Sequence, residues 1–121
     1  SCPAINAVMD ADVIVLVTEP TPFGLYDLTL AQKAFAPLEI PMGVVVNRSD
    51  IGTQDVQVHC QKTGLPILAE IPFQRDIAEA YALGQVIVDA VPATRALFEL
   101  LALRVMALAN HKTPREEACH A

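Results

Sequence analysis

Three short polar segments carry the residue types that chemistry would need, and each directly follows an apolar run. Thr18, Glu19, Pro20, Thr21 and Pro22 follow the run at 13–17. Asn47, Arg48, Ser49 and Asp50 follow Val44, Val45 and Val46. Pro72, Phe73, Gln74, Arg75 and Asp76 follow the run at 67–71. A side-chain amide such as that of Asn47 both donates and accepts, which matches a purine edge. Asp50, three residues on, has the spacing of a guanine-reading carboxylate, although an Asx turn closing a loop is the commoner use of this pattern. Pro72 and Phe73 make a stiff turn with a flat face suited to an adenine ring. Asp76 would also favour the positive end of a following helix. Glu19 could orient a water or pair across a subunit interface; an exposed turn carboxylate is the commoner case.

Other chemistries lack their residues. His59 and Cys60 are adjacent and diverge in any regular element, and Cys119–His120 sit in the tail, so no metal-ligand spacing exists. No Ser-His-Asp or Cys-His arrangement and no acid/base carboxylate pair can be argued from spacing. Cys2, Cys60 and Cys119 form no CxxC pair, which suits reduced thiols in a cytosolic protein. The five glycines are scattered, with no GxxxxGK loop and no GxGxxG, so no phosphate cradle is encoded. A net charge of −6 without a basic run argues against nucleic acid. No apolar stretch reaches the roughly 18 residues of a membrane span.

The elements that must position these segments alternate. Helices are expected over 3–11, from Pro22 with Thr21 as cap, over 55–63, over 74–83 and over 93–109. Strands are expected at 13–17, 43–46 and 67–71. Gly64 and Pro66 stop the helix at 55–63, and Gly84 reads as a left-handed cap. Leu97, Leu101, Val105 and Leu108 form the stripe of the last helix. Unbroken Val/Ile/Leu runs between helices predict an α/β fold with parallel strands buried on both faces. In such sheets function sits at the carboxyl ends of the strands, where all three polar segments fall. The expected domain covers 1–110, with a polar tail at 111–121.

Ser1 to Ile5, the stretch from Ala11 to Leu28 with its Thr-Glu-Pro-Thr-Pro-Phe-Gly core, Pro41 to Asp50, and Ile71 to Gly84 occur in this order. Together they resemble the C-terminal half of MinD/ParA-type P-loop ATPases. Within these, they are most similar to the subgroup with an inserted ferredoxin-like iron–sulfur domain, also described as cobyrinic acid a,c-diamide synthase-like. The resemblance covers about residues 1–110. It implies a partial P-loop NTPase sandwich lacking the Walker A half, hence a fragment or natural half-protein; the chain has no initiator Met. It implies that Asn47, Arg48, Pro72, Phe73 and Asp76 lie on the nucleotide-base side. Glu19, Pro20 and Thr21 would form a switch facing the phosphates or a dimer partner. ATP and Mg²⁺ would belong to the parent protein, and the iron–sulfur cluster to its remaining part. The isolated chain would bring no catalytic residue, bind no cofactor and lack ATPase activity, because phosphoryl transfer depends on the phosphate loop and Mg²⁺.

Two other readings stand beside this one. The chain could be a non-catalytic module that self-associates through an exposed strand edge at 13–17, or through helix faces, as a homo-oligomer. Its partner could equally be the other half of the parent, or a redox protein. Alternatively, Asn47 and Asp50 could read guanine in a GTPase-like module.

Overall fold

The computed structural model describes residues 3–110. Its elements run α1 (Pro3–Val8), β1 (Ile14–Thr18), α2 (Pro22–Phe35), a 3-10 turn (Ala36–Leu38), β2 (Met42–Asn47), α3 (Asp55–Thr63), β3 (Ile67–Ile71), α4 (Arg75–Ala82), α5 (Ile87–Ala90) and α6 (Ala93–Asn110). The three strands form one parallel sheet in the order β1-β2-β3. The expected α/β architecture is therefore present.

β2 is the central strand, and its sequence explains its place. Val44, Val45 and Val46 alternate between two covered faces, and all three are buried. Val44 and Val46 pack with Leu28 of α2 and with Val56 and Cys60 of α3. Val45 faces the other way, onto Leu97, Leu101 and Val105 of α6. A strand clad on both faces has no need of polar alternation.

The β2–β3 pairing slips by one residue between Val44 and Val45, so that Val44 pairs with Ile67 and Val45 with Ala69. The irregularity places both Leu68 and Ala69 in the core facing α6. Arg104 Nη1 donates to the Leu68 carbonyl at 2.9 Å, supplying a partner to that distorted backbone.

The helix ends follow their capping residues. Thr21 Oγ1 accepts from Gly24 N–H at 3.0 Å, and Pro22 occupies the first helical position, so α2 starts where its sequence signals. Gly64 ends α3 in the left-handed region. Two features depart from expectation. Helix α1 stops at Val8 rather than 11, giving way to a turn in which Ala11 N–H donates to the Val8 carbonyl. The short α5 has no sequence signature of its own; it is anchored by the buried Thr94, whose hydroxyl donates to Val91 and is also within reach of the Ile87 carbonyl. The expected tail at 111–121 and Cys2 lie outside the described residues.

β1 is an edge strand. Among the described residues, only β2 pairs with it. Its face toward α1 and α2 is packed through Ile14 and Leu16. Its opposite face is not covered: Val15 is 37% and Val17 68% exposed, because α6 lies over β2 and β3.

Cys60 is a free, buried thiol in the central cluster, and burial pushes its pKa up. The raised folded-state value means that this group's contribution to stability is fully present below the unfolded thiol pKa. It is lost as pH climbs from there through the folded value. Under native conditions we expect iodoacetamide to leave the Cys60 peptide largely unmodified at pH 8, with full labelling in denaturant. Peptide mass spectrometry checks this, and native labelling as fast as in the unfolded chain would contradict the burial.

Candidate functional site

All three polar segments emerge at the carboxyl ends of the strands, and two kinds of contact tie them together. The first loop is locked to the second through Pro20. This proline is fully buried, and its carbonyl accepts from Thr53 N–H at 3.3 Å. Gly52 lies directly against the same carbonyl with φ +75°; a Cβ there would run into it. Thr18 Oγ1 donates to the Gly24 carbonyl at 2.9 Å, closing the first loop on itself.

The second loop is locked to the third. Ser49 N–H donates to the Ile71 carbonyl at 2.9 Å, and Phe73 N–H donates to Asp50 Oδ1 at 2.6 Å. The last bond is charge-assisted and holds the Pro72–Phe73 turn in place. Arg48 bridges all three loops. Its guanidinium lies 4.4 Å from the centroid of the Phe73 ring and 3.9 Å from Glu19 Oε1. Stacking on the aromatic face orients the cation. The ion pair, about 40% exposed on both sides, adds little.

Arg48 is one of two non-glycine residues with positive φ among the described residues, at +53°. Asn47 Oδ1 accepts from Arg48 N–H at 3.0 Å, which supports this left-handed step. The conformation costs about 1 kcal/mol or more for a side chain that glycine would avoid.

These groups border a cavity of about 770 Å³. Its polar rim is Glu19, Asn47 and Arg48; its walls include Pro72, Phe73 and the exposed face of β1. Tyr81 of α4 and Phe98 of α6 complete it from the helical side. Arg48 Nε is shielded from water and has no hydrogen-bond partner among the described residues.

Of the residues singled out from the sequence, Asn47, Arg48, Pro72, Phe73 and Glu19 share this one cavity. Three others are used differently. Asp76 does not line it, and its Oδ1 accepts from Ile77 N–H in the first turn of α4. Pro20 is interior packing, and Thr21 spends its hydroxyl on the α2 cap. Sequence reasoning did not find Tyr81 or Phe98 as lining residues. Phe98 is set by the pitch of α6, which no local motif marks.

The residues do not provide a metal centre. Among the described residues no group of three or more His, Cys, Asp or Glu side chains could hold a metal ion. His59 turns away from Cys60 and meets Gln32 Oε1 at 2.8 Å. No described helix is long and apolar enough to cross a membrane.

No protein-family model matches the chain. It is similar to the uncharacterized protein MJ0579 of Methanocaldococcus jannaschii, with 33% identity over 84 residues. That alignment covers 69% of this chain and 28% of the archaeal protein, so the chain spans little more than a quarter of its relative's length.

Gly52 and Gly64 both adopt left-handed conformations, but only Gly52 faces a neighbour. We expect Gly64→Ala to cost about 1–2 kcal/mol, the backbone term alone. Gly52→Ala should cost clearly more, because the first loop must also move. Urea denaturation of the two variants measures the difference, and equal losses would contradict the locked-loop geometry.

Proposed function

We propose that this chain is the base-side portion of a nucleotide-binding domain of the MinD/ParA ATPase type, accepting an adenine ring in the cavity at the strand ends. The observation that carries the reading is the convergence of Asn47, Arg48, Pro72 and Phe73 on one cavity at the carboxyl end of a parallel sheet. In this reading the adenine stacks on the Phe73 side of the cavity, with Arg48 shifting toward Glu19 to admit it. The Asn47 amide and Arg48 Nε meet the ring's polar edge. Asp50 is not used as a guanine reader in this reading, because it does not line the cavity and its Oδ1 accepts from the Phe73 amide.

ATP would bring the phosphates and Mg²⁺. The described residues offer these neither a glycine-rich loop nor a metal-ligand group, so no hydrolytic step is assigned to this chain. The iron–sulfur chemistry of the resembled subgroup likewise belongs to the remainder of a longer protein. Its assignment rests on the resemblance alone. Calorimetry on the isolated chain should show at best millimolar affinity for ATP. Micromolar affinity would overturn the view that this portion supplies only the base side.

A second reading is favoured by the 68% exposure of Val17 on an unpaired edge strand. Such an edge, with no charge or proline within β1, invites pairing with another strand. In this reading the chain self-associates through β1, whether or not it binds nucleotide. Light scattering at rising concentration reads the outcome directly. An edge-driven oligomer dissociates on Val17→Lys, whereas a clean monomer at high concentration contradicts the reading.

A further inference from the structure

Helix α6 carries two apolar stripes, centred roughly 120° apart around its axis. The inner one, Leu97, Leu101, Val105 and Leu108, packs on the sheet. The outer one consists of Ala96, Leu100, Leu103 and Ala107, all exposed, Leu103 at 64%. Their spacing of four, three and four residues is the a/d spacing of a coiled-coil seam. A solvent-facing helix stripe of a lone domain would ordinarily be polar.

The charges beside this seam are arranged for a second copy in one orientation. With Leu100 at an a position and Leu103 at d, Glu99 falls at g and Arg104 at e. In a parallel pair, a g residue meets the e residue five positions later on the partner helix. Glu99 therefore meets Arg104 of the other copy, twice by symmetry. Arg104 gives one of its N–H groups to the Leu68 carbonyl and retains others for this contact. An antiparallel pair sets g against g and e against e, which leaves Glu99 without this partner. The small residues Ala96 and Ala107 at the ends of the seam let the helix axes approach. The helix is already held by the fold, so association requires no helix ordering.

We propose that two copies of this chain associate through the outer face of α6 as a parallel, two-fold helix pair, with Leu100 and Leu103 in like-with-like layers and Glu99 facing Arg104 across the seam. This surface is separate from the strand-end cavity and from the β1 edge, and it stands whether or not nucleotide binds.

The test uses Leu100→Cys and Leu103→Cys chains, each with Cys2 and Cys119 replaced by Ser, mixed and oxidised at high protein concentration. Peptide mass spectrometry then identifies the linked positions. Both substitutions are on the exposed face, and circular dichroism verifies the fold. The parallel pair gives 100–100 and 103–103 links. Glu99→Lys, which sets like charges across the seam, should cut their yield several-fold. Predominant 100–103 links would show an antiparallel pair and overturn the proposal. The absence of links at these positions would overturn it too, as would a yield unchanged by Glu99→Lys.

Discussion

The site depends on one constraint, the contact of Gly52 with the Pro20 carbonyl at the end of the sheet. β1 and β2 leave the sheet side by side, and their loops must share the small space above it. A buried proline in one loop and a residue lacking Cβ in the other allow the two backbones to meet. From there the order propagates outward. The second loop reaches the third through Ser49 and Asp50, and Arg48 is set over Phe73 with Glu19 near its other side. Loops over an open strand end are ordinarily the most mobile part of an α/β domain. Here each is bonded to its neighbour.

The rim joins two kinds of stabilisation with different roles. Burial of Val44, Val46, Val56 and Leu28 holds β2 and thus fixes where Asn47 emerges. Polar bonds then fix how the segment after it turns. The left-handed Arg48 lies where these two meet, and its backbone cost is sustained by Asn47 Oδ1. Strain retained at a strand end, beside an apolar cavity with an unpaired donor, is the pattern expected of a binding site rather than of a generic loop.

Much of this was legible in the sequence. The uninterrupted valines of β2 announced a strand covered on both faces, and Thr21–Pro22 announced the start of α2. The strand-end rule then brought the three polar segments together. What was not legible arose from tertiary contact. Asp50 had the spacing of a base reader, with a loop-closing turn as the commoner use, but neither revealed that its carboxylate holds the Phe73 amide, a partner 23 residues away. The place of Asp76 in the first turn of its own helix was legible, but that it stays off the cavity was not. Pro20 was grouped with Glu19 and Thr21 as a switch facing the phosphates or a partner, and it is fully buried. The slip between β2 and β3 and the short α5 leave no local pattern, because both are settled by what packs against them.

The central claim is that the three strand-end loops form one base-accepting platform. A two-dimensional amide NMR titration of the chain with AMP at millimolar concentration tests it most directly, since it maps weak binding residue by residue. The account predicts shifts concentrated at Asn47, Arg48 and Phe73 and absent from the α2–α3 side of the sheet. Shifts spread over that side, or none at the three loops, would contradict it.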